Sequence, residues 1–145
     1  MGFGIGAAIG AQVGNPDKNT VLVTGDGSFR MNCGELVTIS KYKLPIKIVM
    51  FNNNSLGMVR QWQRMFSNAR YSETDNYDDV DYQLLCAAYG IKAYKTGSMA
   101  ELEEILNETD NLNEPVFLEC KIGKDCSVYP IVPPGRPIDE LLITG

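Results

Sequence analysis

The hydrophobic residues fall into short unbroken runs separated by stretches with helical spacing. Residues 20–24 (TVLVT) and 46–51 (IKIVMF) are apolar and β-branched, as strands buried on both faces are. Residues 91–94 (IKAY) predict a weaker third strand, and 116–122 (VFLECKI) a fourth, with Pro115 tolerated at its entry. Between the first two runs, Glu35, Leu36, Val37 and Ile39 predict a helix that ends before Leu44-Pro45, because the residue ahead of a proline avoids the α region. In 57–66 (GMVRQWQRMF), Met58, Trp62 and Met65 share one helical face. Leu84, Leu85, Cys86 and Ala88 predict a helix over 80–89, stopped by Gly90. Ser98 with Glu101 three positions on forms a capping box ahead of a helix over 99–106. Residues 68–79 are polar and aperiodic and predict a surface loop, and the tail after Ser127, with Pro130, Pro133, Pro134 and Pro137, predicts extended chain.

Strands alternating with helices in this rhythm give an α/β domain over residues 1–145, with a parallel sheet and helices on both faces. Ligands of such sheets bind outside the C-terminal strand ends, so the residues after Thr24 and Phe51 are where chemistry is expected. The opening is different in kind. Gly2-Phe3-Gly4-Ile5-Gly6-Ala7 fits a G-x-G-x-x-A pattern, but a dinucleotide fingerprint needs a strand directly ahead of it and none stands there. The spacing of Gly2, Gly6, Gly10 and Gly14 instead lays a smooth helical stripe, suited to close packing against another backbone in a larger body.

Composition narrows the chemistry. The 145 residues include no histidine, which removes Ser-His-Asp and Cys-His catalytic sets and every histidine metal ligand. A net charge of −5 argues against a nucleic-acid surface, which needs clustered Lys and Arg. Cys33, Cys86, Cys120 and Cys126 form no C-x-x-C pair, so a zinc site is not expected. No apolar run reaches 18 residues, and a cytoplasmic protein with reduced thiols and no membrane partner is the expectation.

Gly25-Asp26-Gly27-Ser28 closes the first strand and Asn52-Asn53-Asn54 the second. Each alone is a common turn former. Together, at neighbouring strand ends, they offer one carboxylate, an amide oxygen and closely approachable backbone. That set suits Mg²⁺ shared with a phosphate group, since magnesium takes one or two carboxylates and fills its octahedron with phosphate and water. Ser28 and the free N–H groups of a helix beginning near Met31 are candidate phosphate donors.

G-D-G followed by N-N at this interval resembles the motif of thiamine-diphosphate-dependent enzymes. The segments MGFGIGAAIGAQ, GDGSF, NNNSLGMVRQWQ and VYPIVPPG narrow the resemblance to the C-terminal domain of the acetolactate synthase (acetohydroxyacid synthase) catalytic subunit. It implies a thiamine-diphosphate-binding (pyrophosphate) domain, with the family's pyrimidine-binding and central domains absent and Met1 an internal family position. The implied metal ligands are Asp26, Asn53 and the backbone carbonyl of Ser55. The implied cofactor contacts are Gly25, Gly27 and Ser28 at the diphosphate, and Met1, Gly57 and Met58 beside the bent cofactor; Trp62 is implied to line the substrate channel. The implied reaction joins pyruvate, after loss of carbon dioxide, to a second 2-keto acid in branched-chain amino acid biosynthesis. FAD is implied for the longer enzyme, bound mainly outside this domain, as are a homo-oligomer and a regulatory subunit. The activating glutamate is implied in another domain, which leaves no catalytic residue in this chain and an inactive polypeptide on its own. Another thiamine-diphosphate enzyme, such as a pyruvate oxidase or decarboxylase, shares the metal motif, although M-V-R-Q-W-Q favours acetolactate synthase. A non-catalytic module for a phosphate ligand and a flavodoxin-like nucleotide-binding domain are the remaining readings.

Overall fold

The computed structural model describes residues 1–76, 80–110 and 113–143. Its elements run α1 (Gly4–Gly14), β1 (Thr20–Gly25), α2 (Asp26–Asn32), a 3₁₀ turn at Cys33–Glu35, α3 (Leu36–Tyr42), β2 (Ile46–Asn52), α4 (Gly57–Phe66), α5 (Tyr82–Ala88), β3 (Lys92–Thr96), α6 (Met99–Thr109) and β4 (Val116–Lys121). Four strands form one sheet in the order β1-β2-β4-β3, and all neighbours are parallel. Gly25 pairs with Phe51, so β1 and β2 end side by side and hand the chain to Asp26 and Asn53 at the same edge.

Strand alternation separates two cores. Leu22, Ile46, Ile48, Met50 and Phe117 meet Ile5, Ala8, Phe29, Leu36, Ile39, Tyr82 and Cys86 on one face. Phe29 centres it, with ring centroids 5.0 Å from Phe117 and 5.8 Å from Tyr82. On the other face α6 brings Leu102 against Val49, Val116, Leu118 and Cys120. Helices thus flank both faces, but α6 does not reach β1, where Val21 and Val23 stay 53% and 63% exposed.

The helix ends follow local rules. Ser98 Oγ accepts from the Glu101 N–H at 3.3 Å, as a capping box requires. The Glu101 carboxylate accepts from Thr96 Oγ1 at 2.7 Å and the Gly97 N–H at 3.4 Å, and these bonds, the Thr96 one first, lower its pKa. Gly90 stops α5 in the left-handed conformation at φ +69°, where a Cβ would be strained. Asp81, which the hydrophobic pattern passes over, caps the start of α5 by accepting from the Leu84 N–H at 2.9 Å.

Several expectations shift. The helix expected near Met31 begins at Asp26, because Gly25 is extended (φ −102°, ψ 162°) and the chain turns helical immediately after it. In helix α4 Gln61 is buried, while the face shared by Met58 and Trp62 is open, at 50% and 44% exposed. The helix expected over 80–89 runs from Tyr82 to Ala88, with Cys86 buried and Leu84 exposed. The surface-loop reading of 68–79 fails at Thr74, which is 2% exposed, and at Asp75, which bridges antiparallel to Ser55; its last three positions lie outside the described residues. Ideal Cβ atoms on Gly6, Gly10 and Gly14 would meet nothing within 4 Å, so these three face outward, whereas Gly2, ahead of α1, sits where a Cβ would lie 3.0 Å from Met31 Cβ, and Gly4 where one would lie 2.8 Å from Leu22 Cδ1. Among the described residues no helix is long and apolar enough to cross a membrane.

Candidate functional site

Every residue to which the resemblance gives a cofactor contact, namely Met1, Gly25, Asp26, Gly27, Ser28, Asn53, Ser55, Gly57 and Met58, lines one cavity of about 400 Å³ at the C-terminal ends of β1 and β2. Trp62 stands outside it. It lines a neighbouring depression of about 490 Å³ with Met58, Val59 and Phe66, its ring edge-on to Phe66 at 5.8 Å. Met58 borders both.

Asp26 opens α2 and is 3% exposed. Its Oδ2 accepts from Asn76 Nδ2 at 2.8 Å, and no Lys or Arg pairs with it among the described residues. A buried carboxylate without a cation is costly, and the partial positive charge of one short helix start offsets only part of that cost. Asn53 directs its amide into a turn, with Oδ1 accepting from the Ser55 N–H at 3.1 Å, and an amide oxygen retains a second lone pair. Ser55 is also 3% exposed. Its hydroxyl donates to the Thr74 carbonyl at 2.9 Å, while its own carbonyl accepts no hydrogen bond among the described residues. One carboxylate, one amide oxygen and one backbone carbonyl form a hard, low-charge oxygen set, which fits Mg²⁺ and not zinc. No group of three or more His, Cys, Asp or Glu able to hold a metal occurs among the described residues.

Close approach explains two glycines. A Cβ on Gly57 would lie 2.7 Å from Asn53 Nδ2, and one on Gly27 would lie 2.9 Å from Leu56 Cδ2 and 3.3 Å from Asn76 Nδ2. Ser28 Oγ accepts from the Gly2 N–H at 2.9 Å, which ties the N-terminal segment to the cavity and leaves the hydroxyl proton for an anion. The backbone N–H groups of Gly27 and Ser28 belong to the first turn of α2, where no intrahelical acceptor exists.

The hydrophobic pattern missed three residues that line or brace the cavity. Asn76, which holds Asp26, lies in the aperiodic loop and carries no signal of its own. Gln61 donates to the Val128 carbonyl and accepts from its N–H, both at 2.9 Å, and so fixes the segment that brings Cys126, Ser127 and Val128 to the cavity. Arg60 joins α4 to Asp125 at 2.7 Å and to Asp75 at 3.4 Å; the Asp125 bond raises its pKa, and the same bond lowers that of Asp125. The cysteines remain free thiols. Burial pushes Cys86, behind the sheet, up to about 12 and also raises Cys120.

The sequence pattern of the thiamine pyrophosphate enzymes' C-terminal TPP-binding domain (thiamine pyrophosphate is thiamine diphosphate) matches residues 1–120. The acetolactate synthase isozyme 2 large subunit of Escherichia coli (strain K12) is 44% identical over 142 residues, covering 98% of this chain and 26% of that protein. The acetolactate synthase large subunits of Porphyra purpurea and Lactococcus lactis subsp. lactis (strain IL1403) are 44% and 42% identical, each over 98% of this chain and 24% of theirs. The chain therefore spans about a quarter of the length of these relatives. The thiamine diphosphate-dependent 4-hydroxybenzoylformate decarboxylase of Rhodococcus jostii RHA1 shares the fold, with a TM-score of 0.78 at 24% identity over 85% of this chain and 23% of that one. By sequence pattern, and by a fold that gathers the G-D-G and N-N strand ends around one cavity, the chain belongs to the C-terminal TPP-binding domain family of thiamine pyrophosphate enzymes, in the form found in acetolactate synthase large subunits.

Proposed function

We propose that this domain anchors the diphosphate and Mg²⁺ end of thiamine diphosphate in an acetolactate synthase, an enzyme that condenses pyruvate with a second 2-keto acid for branched-chain amino acid biosynthesis. The observation that carries the reading is Asp26, buried with no Lys or Arg partner among the described residues and lining one cavity with Asn53 and Ser55. In this reading Asp26, Asn53 and the Ser55 carbonyl hold the metal. Gly27 and Ser28 donate to the diphosphate, and Gly25 lets the backbone pass close to it. Met1, Gly57 and Met58 border the thiazolium, where the apolar side chains keep water from the reacting carbon. When bound, the cofactor supplies a nucleophilic carbon and a sink for the electrons released on decarboxylation. The chain contributes orientation and charge neutralisation, and no residue of the described cavity lining is given the task of activating the cofactor by moving a proton. That task is assigned to a glutamate in another domain, so the chain alone is inactive.

Trp62 in the adjoining depression contacts the 2-keto acid substrates. FAD, where the longer enzyme carries it, is held mainly by other domains. The exposed glycine stripe of α1, together with Phe3, Val21 and Val23, supports packing against further domains or a second copy in a homo-oligomer, with a regulatory subunit as an additional partner. Free thiols suit the cytoplasm.

The test replaces the matching stretch of the Escherichia coli isozyme 2 large subunit with this chain. The chimera is expected to form acetolactate from pyruvate with thiamine diphosphate and Mg²⁺, and the chain alone to form none. A folded chimera that binds the cofactor and forms no acetolactate would refute the assignment of the reaction.

A further inference from the structure

Apart from Lys121 at its end, the β4 strand is apolar except for Glu119, which is 2% exposed and lies on the α5 side of the sheet. Its Oε1 accepts from Asn52 Nδ2 at 2.7 Å and its Oε2 from Gln83 Nε2 at 2.9 Å. Lys121 Nζ stands 3.6 Å and Lys95 Nζ 3.9 Å from the same carboxylate. An apolar residue of similar volume would serve the sheet at no desolvation cost, so the charge calls for another use.

That use lies in the turn after β2. Asn52, held by Glu119, accepts the Asn54 N–H on its Oδ1 at 3.0 Å. Lys121, beside Glu119, donates to Asn54 Oδ1 at 3.1 Å. Asn54 adopts φ +54°, a left-handed conformation that its surroundings must maintain. The residues on either side of Asn53 are therefore both fixed through one carboxylate. Asn53 supplies the amide oxygen, and Asn54 sets the direction in which the chain delivers the Ser55 carbonyl.

We propose that Glu119 is a positioning residue for the metal ligands Asn53 and Ser55; this rests on the cofactor reading above and deepens it. Through Asn52 and Lys121 it fixes the N-N-N turn in the geometry an octahedral ion needs. Mg²⁺ demands near-ideal octahedral geometry, whereas Ca²⁺ accepts a looser shell. Loosening the turn should therefore weaken Mg²⁺ more than Ca²⁺, a selectivity that a purely structural role would not alter.

Thiamine diphosphate affinity is measured by calorimetry in Mg²⁺ and in Ca²⁺ for the wild-type chain, Glu119→Met and Glu119→Gln, with thermal melts alongside. Glu119→Met is expected to lose about 10–100-fold in Mg²⁺, the usual cost of losing an outer-shell partner, and far less in Ca²⁺. Glu119→Gln is expected to recover most of the Mg²⁺ affinity, since its amide oxygen still accepts from Asn52 while Gln83 turns. If Glu119→Met does not fold, Lys121→Met, which acts on the same turn from a partly exposed side chain, is expected to show the same Mg²⁺-selective loss. Equal losses in both metals, or none, in the folded variants would overturn the inference while leaving the cofactor site standing. No binding by the wild-type chain in either metal would overturn the cofactor reading, and this inference with it.

Discussion

Gly57→Ala separates folding from cofactor binding more cleanly than deletion of a ligand. Gly57 is the first residue of α4, and an alanine Cβ there would lie 2.7 Å from Asn53 Nδ2. That is about 0.8 Å inside an ordinary contact of ~3.5 Å. The backbone is fixed on both sides, so the Asn53 amide is the part that moves. Moving it gives up the 3.1 Å bond from the Ser55 N–H, a loss of about 1 kcal/mol. Replacing a helical glycine by alanine returns roughly 0.5–1 kcal/mol, because the unfolded chain has less freedom to lose. The two nearly cancel, so the melting temperature should stay close to wild type. The metal ligand has nevertheless been displaced. A loss of about 10–100-fold in Mg²⁺-dependent thiamine diphosphate affinity is expected, by analogy with disturbed ligand positioning, or about 1.4–2.7 kcal/mol. Thermal melts and calorimetric titration of the same preparations read both quantities. A variant that melts several degrees lower yet binds as wild type would show that the Asn53 amide is a packing group and not a ligand.

Asp26→Asn should abolish Mg²⁺-dependent cofactor binding by calorimetry while leaving the melting temperature unchanged or raised, because it removes a buried charge that has no cationic partner among the described residues. Trp62→Leu should leave the chain's thiamine diphosphate affinity near wild type by the same titration, since Trp62 lines the neighbouring depression; a large loss would make the two depressions one site. In the folded chain at pH 8, iodoacetamide should modify exposed Cys126 and spare Cys86, as peptide mass mapping would reveal. The Cys86 thiol, raised by burial from 9.0 to about 12, contributes stability fully present below pH 9. That contribution is lost as the pH rises toward 12, by roughly 1.4 kcal/mol per pH unit, because the unfolded thiol ionises first. Denaturation curves between pH 9 and 11 should therefore fall more steeply for wild type than for Cys86→Ala.

The strands were legible as short apolar runs, of which β2 and β4 are buried on both faces and β1 on one, and the site because its ligands stand where the first two runs stop. Asp26 and Asn53 meet because Gly25 pairs with Phe51, a register that the runs at 20–24 and 46–51 permit but do not specify. What stayed hidden depends on contacts between residues distant in sequence. Asn76 reaches Asp26 from a loop without periodicity. Gln61 resembles any polar residue of a surface helix, yet it is buried because its amide satisfies both backbone groups of Val128. The apolar spacing of Met58 and Trp62 predicts a face and cannot tell whether that face meets the core or lines an open cavity. Glu119 reads as an interruption in an apolar strand until Asn52, Gln83 and Lys121 are seen around it.

On the proposed reading, Asp26, Asn53 and the Ser55 carbonyl hold a divalent ion through which the chain grips a diphosphate. Calorimetric titration of thiamine diphosphate into the wild-type chain, with Mg²⁺ and then with the metal removed by EDTA, tests it most directly. Saturable one-to-one binding that requires Mg²⁺ and disappears on chelation is expected. Binding of equal strength in EDTA, or no binding with Mg²⁺ in excess, would contradict it.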